Sequence, residues 1–202
     1  MKDIKAFAIL MTVMLLGFIS VGVTGFYTFK ESLIEAKKQE IELLLNIARQ
    51  QSAIYIEQYH QGLLSKAETD QKIIKFLSGM RYGASYLWAN DNNAIARVHI
   101  RERVIGQIQK SYVRHMENLV HEDILYVVET NIKPSNNTRT WKINGVTEIP
   151  EWKWVIGMGI YLDDVDNTLF TYISKFLTSI VISMVVIIMT FIYSIRRSRA
   201  KF

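Results

Sequence analysis

An α+β domain with a long N-terminal helix and an antiparallel sheet, set between two transmembrane helices, is the architecture this sequence predicts. Three observations carry it. Two uncharged runs, Ala6 to Phe29 (24 residues) and Phe176 to Ile195 (20 residues), stand near the two ends of the 202-residue chain. Basic residues mark the outer flank of each run: Lys2 and Lys5 before the first, Arg196, Arg197, Arg199 and Lys201 after the second. Between the runs the hydrophobic period changes from that of helices to that of strands and back.

A helix needs about 20 apolar residues to cross a ~30 Å hydrocarbon core, and both runs meet that length. No other uncharged run between Glu31 and Ser174 exceeds nine residues, so two spans are expected. The first run is longer than the h-region of a signal peptide, and Gly25-Phe26-Tyr27 offers no small-x-small cleavage site, which favours a retained anchor. Positive charge collects on the cytoplasmic side of a membrane. Residues 1–5 and the tail 196–202 are therefore expected in the cytoplasm, 6–29 and 176–195 in the inner membrane, and 30–175 in the periplasm or outside the cell. The charge balance agrees: residues 31–174 carry sixteen Lys/Arg and eighteen Asp/Glu, whereas the rest of the chain carries eight and one. The formal +5 is thus an orientation signal, and neither a recognition helix nor a stacking platform for nucleic acid stands out.

Other classes are excluded by what is missing. The chain has no cysteine, hence no disulfide framework, Cys-ligated zinc or thiol nucleophile. His115 and His121 are six apart, on different faces of a helix, and no His-Glu-x-x-His pattern occurs. Asp163, Asp164 and Asp166 stand where a helix should begin, which capping and the helix dipole explain better than a cation. No nucleophile elbow, phosphate-binding loop or distinctive carboxylate pair appears, so neither an enzyme nor a cofactor or metal is expected.

The elements follow in order. From residue 31 to about 61, Ile34, Ile41, Leu44, Ala48, Tyr55 and Tyr59 recur at spacings of three, four or seven, the stripe of a long helix. That stripe either packs on the domain core or also forms a dimer seam, since Leu33, Leu43, Leu45 and Ile47 widen the apolar surface. Gly62 ends the helix. Ser65-Lys66-Ala67-Glu68 fits a capping box for a second helix, which runs to about Ser78. Ala84 to Ala89 and Ala94 to Ile100 read as strands joined by the turn Asp91-Asn92-Asn93. Gln107 to about His121 reads as a helix. Ile124–Glu129 and Thr138–Ile143 read as strands around Pro134-Ser135-Asn136-Asn137. A last strand runs from Trp152 to Leu162, in which Gly157 and Gly159 permit close approach of a neighbour. Asp163 or Asp164 caps a final helix that continues into the second span. The sheet has about five strands.

The segment Met80-Arg81-Tyr82-Gly83-Ala84-Ser85-Tyr86-Leu87-Trp88 resembles the first strand of the single Cache domain. Trp152-Lys153-Trp154-Val155-Ile156-Gly157-Met158-Gly159-Ile160-Tyr161-Leu162-Asp163-Asp164 resembles its closing motif, and Val98-His99 through Arg103-Val104-Ile105-Gly106 its central segment. The resemblance is to the second subtype of single Cache domains, found in bacterial chemoreceptors and sensor kinases, and covers residues 31–175. It implies a PAS-like fold whose pocket binds a small molecule, with short organic acids common among related ligands, and a homodimer. The chain departs from the pattern at Ile100, where proline is usual after the histidine, in His121-Glu122-Asp123-Ile124, which lacks a glycine, and at Gly145, near a usual tyrosine.

Eight residues are candidates for the ligand. Arg97 and His99 share a strand face; an arginine can fork a carboxylate, and the alternative is a solvated sheet face. Tyr86 and Trp88 either wall the pocket or belong to the sheet core, and Tyr126 and Trp141 carry the same two readings. Lys142 alternates with Trp141, so one of the two faces the ligand. Arg81 either closes the pocket mouth or pairs with an acid. The expected function is small-ligand sensing, of an organic acid, relayed through the second span to chemotaxis or two-component signalling. With only seven residues after that span, the expectation is a truncated receptor or a partner of a separate cytoplasmic signalling protein. The alternative is a membrane interaction module that binds no ligand.

Overall fold

The computed structural model describes residues 2–82 and 84–199; Gly83 of the first-strand motif and residues 1 and 200–202 of the predicted cytoplasmic ends lie outside the described residues. The chain divides into two units, Ile34–Asp164 and the flanking segments up to Leu33 and from Val165.

Helix α1 (Lys2–His60) covers both the first candidate span and the long helix expected from residue 31 to about 61. No glycine or proline between Phe26 and Gln61 interrupts its hydrogen bonding. It stops at Gly62, whose φ of 74° only glycine adopts freely. The Gly62 and Leu63 amides there donate to the Tyr59 and Gln58 carbonyls (2.9 Å each), a Schellman ending. Helix α2 (Lys66–Gly79) begins with the expected capping box, in which Ser65 and Glu68 each accept from the other's backbone N–H.

Strands β1 (Arg81–Tyr82), β2 (Ser85–Asn90), β3 (Ala96–Val98), β4 (Leu125–Ile132), β5 (Arg139–Ile149) and β6 (Trp154–Tyr161) form an antiparallel sheet of order β1-β2-β6-β5-β4, with β3 also on β2. Side chains alternate between its two faces. One face carries Leu87, Ala89, Ile156 and Met158, which join Ile41, Leu45 and Ala48 of α1 and Ile73 and Leu77 of α2 in the core. Each such side chain contributes about 1.5–3 kcal/mol on burial. The other face is polar toward β4 and β5 and lies under helix α3 (Ser111–Leu119).

Among the elements that differ from the sequence reading, three bear on the site. The strand expected over Ala94–Ile100 shrinks to Ala96–Val98, with a register shift against β2 at Ala89/Asn90, and His99 lies just beyond its end. The helix expected from Gln107 starts at Ser111. Gly106, at φ 83°, turns the chain back, and the Gly106, Gln107 and Gln109 backbone bonds to Ala94 and Ala96 instead. The strand expected to stop at Ile143 runs on to Ile149. Gly145 sustains it because a Cβ there would meet Ile41 Cγ2 at 2.5 Å, so its absence lets α1 close on the sheet.

Helix α4 (Leu162–Arg199) follows β6 with no loop, and Asp163 and Asp164 lie inside its first turn, not before it as caps. In the unit of the flanking segments, Phe7 stacks on Phe191 at 3.6 Å, Gly22 faces the Phe176 ring, and Lys30 pairs with Asp166 at 3.0 Å. Each long helix carries an 18-residue window of mean hydropathy 2.4 with no residue buried, the profile of a candidate membrane helix.

Candidate functional site

A cavity of ≈ 120 Å³ opens on the polar sheet face. Strand β2 supplies Tyr86, Trp88 and Asn90; β4 supplies Glu129 and Asn131; β5 supplies Lys142 and Asn144. His99 enters from the segment after β3, and Gln109, Ser111 and His115 from α3 and its approach. The register explains the convergence: Glu129 stands opposite Lys142, and Trp88 opposite Gly157, so these groups share one face.

Lys142 is the centre of charge. It is 1 % exposed, and its Nζ lies 4.5 Å from the Tyr86 ring centroid and 5.3 Å from that of Tyr161. Among the described residues no carboxylate lies within 4.0 Å of it. Burial lowers its pKa to about 8, with Glu129 working in the opposite direction. It is a cation at neutral pH whose close partners, among the described residues, are the Tyr86 and Tyr161 rings.

His99 is fixed as a neutral ring. The Arg101 amide donates to Nδ1 at 3.0 Å, which leaves the ring proton on Nε2, 3.2 Å from the Tyr86 hydroxyl. Burial lowers its pKa to about 4, and the Lys142 and Arg101 charges add to that. Tyr86 accepts from His99, so its own O–H remains to donate. Burial raises the pKa of Tyr86 and of Tyr161, and both remain phenols. Glu129 Oε1 accepts from Asn131 Nδ2 at 3.1 Å and Asn144 Nδ2 at 3.0 Å.

Four of the eight sequence candidates, Tyr86, Trp88, His99 and Lys142, come together in this cavity. The other four stand elsewhere. Arg97 is spent on Asp91: Nε and Nη2 both lie 2.6 Å from Oδ2, while Oδ1 accepts the Asn93 and Ile95 amides. A buried aspartate in the β2–β3 turn needs that compensation. Arg81 is exposed on the edge strand β1. Tyr126 points to α1, donating to the Lys38 carbonyl at 3.1 Å, on the strand face opposite to Glu129. Trp141, out of phase with Lys142, is 56 % exposed.

Glu129, Asn131 and Asn144 escaped the sequence reading, although the pairs Glu129-x-Asn131 and Lys142-x-Asn144 carry a period-two polar signal that could have found them. His115 carried no local signal. The described residues contain no cluster of three or more His, Asp or Glu able to hold a metal ion.

A sensor-type α+β fold with a small polar cavity between sheet and covering helix defines the class of this domain. The chain belongs to the Cache domain family, whose profile matches residues 19–184. The sensor histidine kinase MctS of Rhizobium johnstonii is 28% identical over 162 residues, 68% of this chain but 32% of that kinase, so the chain spans about a third of that relative's length. A Cache chemosensory domain solved for its carboxylic acid recognition is 20% identical, with a TM-score of 0.57 over 65% of this chain and 97% of that one. A methyl-accepting chemotaxis protein from Vibrio parahaemolyticus is 22% identical, with a TM-score of 0.54 over 70% and 99%. Both structural likenesses are likenesses of fold. Ile34–Asp164 is thus a Cache sensor domain flanked by two candidate membrane helices.

Proposed function

We propose that this chain senses a small organic acid outside the inner membrane, with Lys142 as the counter-ion of the ligand's carboxylate. The observation that carries this is the buried ammonium with no carboxylate partner among the described residues. A buried charge is costly without a partner, and a ligand carboxylate supplies one. The Tyr86 hydroxyl has a proton to add to the same anion. A volume of ≈ 120 Å³ suits a ligand of a few heavy atoms. The similarity in fold to a carboxylic-acid-recognising Cache domain supports the reading.

The cavity binds and does not catalyse in this reading. His99, its Nδ1 taken by the Arg101 amide and its proton on Nε2 toward Tyr86, is no base, and among the described residues no hydrogen bond joins Ser111 to a basic side chain. Signalling follows from the chain path. Tyr161, whose ring lies under Lys142, is the residue before α4. Lys133 grips the first turn of α4 through Asp163 (2.9 Å) and Asp164 (2.5 Å). A ligand that binds one arrangement of Lys142 and Tyr161 better than another shifts the population of both, and so biases α4. A sensor kinase or chemotaxis pathway on the cytoplasmic side is the receiving partner, in line with the relatives.

The working form is a homodimer. Leu43, Ile47 and Ile54 stay exposed on the outer part of α1. Their spacing, with Gln50 between, is the 4-3-4 of a coiled-coil seam, and a second copy would cover it.

Titration of the full chain in lipid nanodiscs with acetate, propionate and lactate tests the sensor reading. Saturable binding to the wild type that Lys142→Met removes, without unfolding, supports it. A folded protein that binds no carboxylate, amino acid or amine shifts the reading to an interaction module.

A further inference from the structure

Among the described residues, His115 is a buried side chain of the cavity with neither ring nitrogen hydrogen-bonded. It is 4 % exposed, and neither Nδ1 nor Nε2 has a hydrogen bond. Its ring packs against Trp88 at a centroid distance of 5.7 Å, and the residue lines the cavity from α3. Asn144 is 3 % exposed, and its Oδ1 is likewise unsatisfied, although its Nδ2 is engaged by Glu129. Buried polar atoms in a native fold are paired, and unpaired ones point to something that completes them.

The unmet groups have a definite character. A neutral imidazole offers one N–H and one lone pair. Asn144 Oδ1 offers only lone pairs. A plain alkyl carboxylate, seated on Lys142, would fill the cavity with methyl or methylene and satisfy none of them. A hydroxyl both donates and accepts, and so suits a mixed pair of this kind. An ammonium only donates, and would leave the His115 N–H unpaired. A second carboxylate would face Glu129, which lines the same space.

We infer that His115 is a specificity-determining residue, and that the ligand is a short hydroxy acid whose hydroxyl meets His115 and Asn144 while its carboxylate meets Lys142. This rests on the carboxylate reading of the site and narrows it.

The test is calorimetric titration of the full chain in nanodiscs with propionate, lactate, 3-hydroxypropionate and alanine, ligands of nearly equal size. The wild type should bind one of the two hydroxy acids at least about tenfold more tightly than propionate, the discrimination expected when a buried donor and acceptor are left unpaired. His115→Phe keeps a ring against Trp88 and should bring that ratio close to one, with propionate affinity little changed. His115→Asn, which retains a donor and an acceptor, should keep part of the preference, and it decides the matter if the phenylalanine variant does not fold. Equal binding of propionate and both hydroxy acids overturns the inference while leaving the carboxylate reading intact, as does an unchanged preference in His115→Phe. Tightest binding of alanine overturns the hydroxyl in favour of an ammonium. Failure of every carboxylate to bind removes the underlying reading, and this inference with it.

Discussion

Gly157 stands opposite Trp88 in the β2–β6 ladder, and the indole of Trp88 occupies the space where a side chain at 157 would begin. A Cβ built there would lie 2.2 Å from Trp88 Cζ2, so the cavity wall exists only because position 157 is glycine. Gly157→Ala should displace the indole and the His115 ring that packs on it. Overpacking of this kind costs about 1–3 kcal/mol. Urea unfolding checks the stability, and loss of ligand-induced stabilisation checks the cavity.

Removing the buried ammonium should stabilise the empty protein even as it abolishes binding. The pKa of Lys142 falls from 10.5 to about 8 on folding, so its burial opposes folding by about 3 kcal/mol at neutral pH. The unfolded chain holds the proton up to pH 10.5 and the folded chain only to about 8. Stability of the ligand-free wild type should therefore rise between those values. Lys142→Met should raise the unfolding free energy at pH 7 and flatten that rise, as read by chemical denaturation across the pH range.

Carboxylate affinity should follow the same proton. Above pH 8 the free site loses its charge, and the association constant should drop about tenfold per pH unit. Titrations at pH 7, 8, 9 and 10 measure this. An affinity constant across that range would show that Lys142 is not the counter-ion.

Acid should loosen the domain through its imidazoles. The pKa of His99 is about 4 in the folded protein against 6.5 unfolded. The unfolded state thus binds the extra proton first, and stability should fall as pH drops from 6.5 toward 4. His99→Gln should show a shallower fall by thermal unfolding, although it lowers stability at pH 7 through loss of the Tyr86 and Arg101 contacts.

The proposed dimer seam is accessible to a simple chemical test because the chain has no cysteine. Ile47→Cys in membranes should cross-link to a dimer under mild oxidation. Lys75→Cys, exposed on α2, should remain monomeric on denaturing gels.

Much of this site was one step of alternation away from the sequence. Lys142 and Trp141 cannot both face the ligand, and that exclusion follows from the strand period alone. Which of the two faces the cavity was decided by α1, because Ile41 and Leu45 pack on Gly145 and so take the odd positions of β5 for the core. Arg97 looked the better anion receptor, being a guanidinium on a strand. A buried Asp91, six residues earlier, claimed it first. Strand patterns report which residues share a face but not which charged groups satisfy one another.

Sequence by itself determined the two candidate membrane helices, the capping box at Ser65, the hairpins and the Cache resemblance. Each depends on a local run, period or cap, whose physics acts within a few residues. Tertiary structure alone decided that His99, His115, Glu129, Lys142 and Asn144 meet in one cavity. These residues lie on elements far apart in the chain, brought together by the β4–β5–β6 register and by the cover of α3. A buried charge or an unpaired imidazole has no local signature, because its cost arises only when distant segments exclude water from it.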